Sequence, residues 1–270
     1  MARIRVKRVS TMKDAALDIY RSLIAWRLWT TMGWLALRQR YKRSIIGPFS
    51  ITLSMGVLIF ALGVIYGELF KMDVQQYLPM LAVGLVFWAF ISSVINEGCN
   101  AFIGSASYIT QLPTPKFVFI LQLLWRNLMM LCHNLAIVFF VAWYFDTASL
   151  AGILQAFLGF LLLAVNLIWL ATLCALTTLR FRDFSQMVAS IMQVLFYITP
   201  ILFAKSMLER YSALLMFNPL AWFIDMVRSP LIAQTVEPSS YLFSGILACA
   251  GLLLTFLLFV RVKDRIPYWV

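Results

Sequence analysis

The sequence predicts an all-α polytopic membrane protein with six transmembrane helices, an N-terminal amphipathic interfacial helix and short re-entrant outer-face helices before the last span. The composition, 63% hydrophobic and 12% charged over 270 residues, leaves too little polar surface to cover a water-soluble globule. Several uncharged windows are also long enough to cross a bilayer, which takes about 20 apolar residues. The basic residues, in turn, are concentrated in connections that would share one side of the membrane.

Residues 1–43 are predicted to form a basic segment that holds an amphipathic helix. Apolar residues recur at helical spacing over 14–26, which is typical of a helix lying flat at the headgroup level. This helix is either a plain membrane anchor or an element whose cationic end binds a phosphate-bearing lipid substrate. The second alternative rests on the ability of guanidinium groups to bind phosphate bidentately. We call its cationic end the basic collar, which consists of Arg38, Arg40, Lys42 and Arg43.

Six windows, uncharged except for Arg126 in the third, predict the spans of a transmembrane domain over 44–260. Gly47 and Pro48 are expected to mark the start of the first span, because proline fits the first turn of a helix. A seventh window, 211–224, has 14 residues, so it is too short to cross and suits a re-entrant element. The six predicted spans are 44–67, 74–96, 117–145, 147–179, 184–204 and 238–260.

The positions of the basic residues predict the orientation. Of the 22 Lys and Arg residues, 17 fall in segments on the same side as the N-terminus, four fall on the opposite side, and Arg126 lies within a span. By the positive-inside rule, both termini, including a tail at 261–270, are predicted to be cytoplasmic. The net charge of +11 therefore indicates contact with anionic membrane lipids and not with nucleic acid.

Glu97 and Arg126 are predicted to form an ion pair in the membrane near the cytoplasmic leaflet. A charge at the centre of a membrane helix costs about 2.5–3.5 kcal/mol on insertion scales, so such a charge normally has a partner. The two residues lie at nearly equal distances on either side of the turn region 104–119, which gives them similar depth in antiparallel spans. The pair is either structural or part of a transport gate.

The connection 101–116, AFIGSASYITQLPTPK, is less polar than a solvated loop. It is either a brief helix that docks on another protein or an interfacial turn that links two spans.

Aromatic residues make up 15% of the chain, and many lie in the middle of predicted spans, where the interfacial preference of aromatic rings does not explain them. They either pack in the core or line a pathway for a sugar polymer, whose C–H faces stack on aromatic rings. The candidate channel-lining residues are Phe87, Trp88, Phe90, Trp125, Trp169, Phe196 and Tyr197.

No nucleotide-binding GxxxxGK[ST] motif and no HExxH metal motif is present. We therefore expect no catalytic residue, no metal site and no cofactor in this chain. If it transports, energy must come from a partner or from an ion gradient. Gradient-driven carriers usually show membrane acids and repeated halves, which this sequence lacks apart from Glu97.

The region 38–232 resembles the membrane subunit of polysaccharide-exporting ABC transporters of the ABC-2 type, and within that family it is most similar to permeases for lipid-linked O-antigen. Ser50 is a departure, because the family commonly has tryptophan there. The matching runs are RQRYKRSIIGPF, TLSMGVLIFALGVIYGELF, GLVFWAFISSVINEGCNAFI, LLWRNLMM, RFRDFSQMVASIMQVLFYITPILF and NPLAWFIDMVRSPLI.

The resemblance implies a homodimer in the bacterial inner membrane that works with two copies of a separate ATPase, which binds ATP and Mg. It implies a coupling helix at 104–115 and outer gate helices at 205–237. The cargo would be a polysaccharide on undecaprenyl diphosphate, with the diphosphate binding to the basic collar.

Exporters of capsule, teichoic acid or other lipid-linked cargo share these features. An ion-coupled carrier and a membrane scaffold that transports nothing are further alternatives. The residues implied to contact the ATPase are Ser105, Tyr108, Gln111 and Leu112.

Overall fold

The structure, a computed structural model, describes residues 11–42, 47, 49–203 and 217–270, and these residues contain helices and no strand. Two 3-10 turns, at Ile103–Ser105 and Lys263–Arg265, precede the short helices α5 and α11. The helices are α1 (Met12–Ile24), α2 (Trp26–Tyr41), α3 (Phe49–Phe70), α4 (Val74–Cys99), α5 (Ala106–Gln111), α6 (Val118–Tyr144), α7 (Leu150–Arg180), α8 (Phe184–Ile198), α9 (Pro219–Leu231), α10 (Pro238–Val262) and α11 (Ile266–Trp269).

The helices α3, α4, α6, α7 and α10 are long and apolar enough to cross a membrane, which confirms an all-α polytopic membrane protein. The remaining predicted span, α8, has 15 residues and measures only about 22 Å at 1.5 Å per residue. Its window at 184–204 predicted a longer helix. The helix ends at Ile198 because Pro200 follows closely, and a residue before proline disfavours the helical conformation.

The first span begins where the sequence predicts. Helix α3 starts at Phe49, directly after Pro48 in the chain. Gly47 has a φ of 60°, in the left-handed region that glycine adopts without steric cost. The chain therefore turns at this glycine before the span.

The centre of the bundle is α4, most of which is buried. It contacts α3, α6, α7, α8 and α9. We call the end of the bundle where α4 finishes and α6 begins the inner end, which the basic residues predict to be cytoplasmic, and the opposite end the outer end. Because α4 lies against so many neighbours, a side chain at its inner end is held against the adjacent helices.

Helix α1 places its polar side on the protein. Asp18 and Ser22 are buried, whereas Tyr20, Leu23 and Ile24 are each more than half exposed. This arrangement leaves the apolar side for lipid, as expected of an interfacial helix. The expected single helix at 14–26 is in fact broken at its end, because the chain bends at residue 25 and α2 begins at Trp26.

A short helix that does not cross the bundle precedes the last span, as predicted. Helix α9 packs on α7 so closely that a Cβ at Gly152 would overlap the carbonyl oxygen of Pro230, and one at Gly159 would overlap that of Met226. Since α7 begins at the outer end, α9 runs from inside the bundle toward that end. Residues 204–216, which belong to the predicted gate region, lie outside the described residues.

Candidate anion-binding cavity at the inner end

A cavity of about 570 Å³ lies at the inner end, between α2, the last turns of α4, the segment around α5 and the first turns of α6. It brings residues from four separate parts of the chain to one place. Its polar lining side chains are Gln39, Asn96, Glu97, Asn100, Ser105, Tyr108, Gln122 and Arg126.

The cavity contains the predicted contact between Glu97 and Arg126. Arg126 Nη2 donates to Glu97 Oε2 at 2.5 Å, and Asn127 Nδ2 donates to the same oxygen at 2.8 Å. The carboxylate on α4 is therefore fixed by two donors from α6, and a charge-assisted bond of this kind is among the strongest that side chains form. Asn127 was not identified from the sequence, although it is a polar residue beside Arg126 inside an apolar run.

Arg40 approaches the same carboxylate from α2, but more loosely. Its Nη1 lies 3.5 Å from Glu97 Oε1, and its side chain is 54% exposed, compared with 25% for Arg126. The same nitrogen lies 3.5 Å from Met130 Sδ. We call Arg40, Glu97 and Arg126 the inner ion cluster. The cluster contains two cations and one carboxylate, so it has an excess positive charge that can bind an anion.

The other members of the basic collar do not join this cluster. Arg38 and Lys42 are exposed near the end of α2 and do not line the cavity. Arg43 lies outside the described residues. Arg40 does not line the cavity itself, but its contact with Glu97 connects it to the cavity wall.

The close seating of α2 on α6 fixes the position of Arg40. The rings of Trp29 and Trp125 meet edge to face with centroids 5.7 Å apart. A Cβ at Gly33 would lie 2.9 Å from Trp125 Cδ1 and 3.1 Å from the carbonyl oxygen of Gln122. Only a residue without a side chain allows this approach.

The segment around α5 has one side on the cavity and one side facing away from the protein. Ser105 and Tyr108 line the cavity, while Ile109 is buried. Tyr108 and Leu112 are about half exposed, and Gln111 is exposed. All four residues predicted to contact an ATPase thus lie on a short segment with an accessible apolar surface.

Asp18 connects α1 to the beginning of α6. Its carboxylate accepts the backbone N–H groups of Lys116 at 3.0 Å and Phe117 at 3.1 Å, as an acidic cap does at a helix N-terminus. Burial lowers the pKa of Lys116, with Asp18 opposing that change and Lys263 adding to it. Lys116 Nζ also donates to the carbonyl oxygen of Ile109. The sequence did not predict this contact.

Four of the predicted channel-lining aromatic residues pack inside the single chain, an arrangement that favours core packing for them. Phe87 and Phe90 both contact Phe160. Trp169 donates a hydrogen bond to Asn166, and Trp88 packs on Phe196. Core packing, the alternative stated above, explains their mid-span positions. The four are Phe87, Trp88, Phe90 and Trp169, all at most 8% exposed.

The other three aromatic candidates are more accessible. Phe196 is partly exposed and its neighbour Tyr197 is 64% exposed on α8. Trp125 is partly exposed, but it belongs to the contact between α2 and α6 described above. Phe196 and Tyr197 are therefore the more accessible of the predicted channel-lining residues.

A second charged cluster, missed from the sequence, lies on α9. Asp225 Oδ1 accepts from the hydroxyl of Ser229 at 2.6 Å, and Oδ2 accepts from Ser240 at 2.9 Å. Arg228 donates to the carbonyl oxygen of Pro200, and it is 3% exposed although the charge pattern predicted an outer connection. We call these groups the outer polar cluster. The sequence feature that could have predicted this cluster is a pair of opposite charges three residues apart, which lie on one face of a helix.

Comparison with known proteins agrees with the architecture. The family model described as "ABC-2 type transporter" matches residues 27–232, which include the whole inner ion cluster. Two proteins from Klebsiella pneumoniae, both named O-antigen export system permease protein RfbA, are 29% and 28% identical to this chain over 242 residues. Each alignment covers 85% of this chain and 89% of the relative. Because the family model covers more than half of the sequence, the chain belongs to the ABC-2 type transporter family.

Proposed function

We propose that this chain is the membrane subunit of an ATP-driven exporter of lipid-linked polysaccharide, with an O-antigen type chain on undecaprenyl diphosphate as its cargo. The names of the two relatives support the cargo class, and family membership supports a transporter. The subunit acts as a homodimer with two copies of a separate ATPase in the bacterial inner membrane. Both termini lie in the cytoplasm, in agreement with the distribution of basic residues.

The inner ion cluster is the observation that carries the proposal. Arg40 is more than half exposed and only loosely paired, so its guanidinium is able to bind a phosphate oxygen pair. Arg38 and Lys42, exposed nearby on α2, add positive charge that attracts an anionic headgroup to the membrane surface. The lipid carrier thus arrives at the inner end with its diphosphate at Arg40.

Glu97 occupies the position of a competing anion in this mechanism. Its Oε1 lies 3.5 Å from Arg40, whereas Oε2 is fixed by Arg126 and Asn127. A diphosphate that binds Arg40 displaces the weaker contact and leaves the stronger one intact. Binding of the cargo therefore releases α2 from α4 without removing the ion pair between α4 and α6.

Helix α5 is the element on which the ATPase acts. Tyr108 and Leu112 present apolar surface to a partner, while Ser105 and Tyr108 also line the cavity. A displacement of α5 by the ATPase therefore moves the wall of the headgroup site. The polymer then passes between the two subunits, where Phe196 and Tyr197 are the remaining aromatic candidates.

The test is purification of the chain with its candidate ATPase subunit and measurement of ATP turnover. Lipid-linked glycan is expected to stimulate turnover, and Arg40→Glu is expected to abolish the stimulation while leaving basal turnover in place. Arg21→Glu is the matched control, because Arg21 is exposed on α1 and, unlike Arg40, forms no ion pair with Glu97. Transport by the isolated chain without an ATPase would contradict the proposal.

A further inference from the structure

A second cavity at the inner end, of about 580 Å³, lies between the end of α7, the end of α10 and the C-terminal residues. It is separate from the headgroup site, with which it shares no lining residue. We call it the α7–α10 groove. It is lined by Leu176, Thr177, Arg180, Phe181, Leu258, Val262, Arg265, Tyr268 and Trp269.

The floor of the groove belongs to the ends of two membrane spans. Leu176 lies four residues before the end of α7, and Leu258 lies four residues before the end of α10. At a rise of 1.5 Å per residue, both lie about 6 Å from the helix ends. The groove therefore lies at the inner ends of two helices that are long and apolar enough to cross a membrane.

The rim of the groove is cationic. The guanidinium carbons of Arg180 and Arg265 each lie 5.8 Å from the centroid of the same ring, that of Trp269. Both arginines are exposed, and neither forms an ion pair with a carboxylate within the part of the chain that the structure describes. Two like charges at one ring repel each other, so an anion bound between them lowers their energy.

The ring that both arginines contact is held in place. Arg182 Nη2 donates to the carbonyl oxygen of Trp269 at 2.6 Å, and Ile266 is fully buried. Lys263 Nζ donates to the carbonyl oxygen of Asp14 at 2.8 Å. The segment predicted as a cytoplasmic tail thus packs against the body of the protein and forms one wall of the groove.

We propose that the α7–α10 groove binds an anionic phospholipid of the surrounding bilayer. The phosphate binds at the cationic rim that Arg180 and Arg265 form, and an acyl chain follows Leu176 and Leu258 toward the membrane. Basic pockets between membrane helices bind anionic headgroups in this way, and an indole at the rim suits the interface. The proposal does not depend on the cargo of the transporter.

The experiment measures the unfolding temperature of the full-length protein in a neutral detergent with added phosphatidylglycerol or phosphatidylcholine. Phosphatidylglycerol is expected to raise the unfolding temperature of the wild type, and phosphatidylcholine is not. Arg180→Gln with Arg265→Gln is expected to weaken the apparent affinity for phosphatidylglycerol about 30-fold, since each basic residue near an anionic surface contributes about a factor of five. Arg261→Gln is the matched control, because it removes one charge from the end of α10 outside the groove.

Three outcomes would overturn the proposal. The first is an equal rise with both lipids, and the second is an undiminished response of the double variant. The third is a rise with inorganic phosphate in place of lipid, which would indicate a site for a free anion.

If the double variant does not fold, lipid co-purified with the wild type decides the question. Anionic lipid is then expected to be enriched in the purified protein over its share of the membrane. If no anionic lipid is enriched and the ATPase instead shields Trp269 from solvent, the proposal is contradicted.

Discussion

The two carboxylates Glu97 and Asp225 have opposite environments. Glu97, at the inner end, has a side chain that is 28% exposed and pairs with guanidinium groups from two different helices. Asp225, on α9, is 1% exposed and accepts hydrogen bonds from two serine hydroxyls. Arg228, the nearby cation, is buried as well and donates to a backbone carbonyl.

Because of this difference, Glu97 can exchange one charged partner for another, whereas Asp225 cannot. An exposed ion pair contributes about 0–1 kcal/mol, because water competes for both charges. In a dry environment, removing one charge of a pair leaves the other uncompensated, at a cost of about 3–5 kcal/mol. We therefore expect changes at the outer polar cluster to affect folding and changes at the inner ion cluster to affect ligand response.

The largest effect is expected for Asp225→Ala. It leaves the Arg228 cation buried and two serine hydroxyls without their acceptor, which predicts a loss of about 3 kcal/mol in the free energy of unfolding. The measurement is the unfolding temperature and folded yield in detergent. Glu237→Gln is the matched control, because it removes one exposed negative charge at the start of α10. A normal unfolding temperature in Asp225→Ala would show that the outer polar cluster is as tolerant as an exposed pair.

Charge reversal at the inner ion cluster is expected to have the next largest effect. Glu97→Arg and Arg126→Glu each place like charges side by side, so each is expected to reduce glycan-stimulated ATP turnover about tenfold. The double reversal restores opposite charges and is expected to recover most of the turnover. Losses that simply add in the double variant would show that the two side chains act independently.

Glu97→Gln tests whether Glu97 competes with the cargo. Loss of the competing charge is expected to lower the concentration of lipid-linked glycan that gives half-maximal ATP turnover by about fivefold, the equivalent of about 1 kcal/mol. Glu237→Gln again serves as the control, with no change expected. A purely structural role of Glu97 predicts the reverse, a higher half-maximal concentration, because the support of Arg126 is weakened.

The difference between the clusters also explains what could be predicted from the sequence. Glu97 and Arg126 flank one short turn between antiparallel spans, so their depths follow from counting residues. Arg228 bonds to a carbonyl in a bend 28 residues earlier, and one of the two hydroxyls that Asp225 accepts from lies in the next helix, so no local count reveals these contacts. Burial of Trp169 was likewise unpredictable, because it depends on the close approach of Gly251 from α10.

The smallest effect is expected for Asp18→Asn, which separates burial from charge compensation. Asp18 is 9% exposed, but its hydrogen-bond partners are the backbone N–H groups of Lys116 and Phe117, and the cation beside it, Lys116, is only partly buried. An asparagine keeps one acceptor for the start of α6, and losing the charge at a helix N-terminus costs about 0.5 kcal/mol. If burial alone governed these carboxylates, Asp18→Asn would lower the unfolding temperature as much as Asp225→Asn does. A small decrease for Asp18→Asn beside a large one for Asp225→Asn, measured in the same detergent, would instead attribute the stability of the outer polar cluster to the arginine that Asp225 compensates.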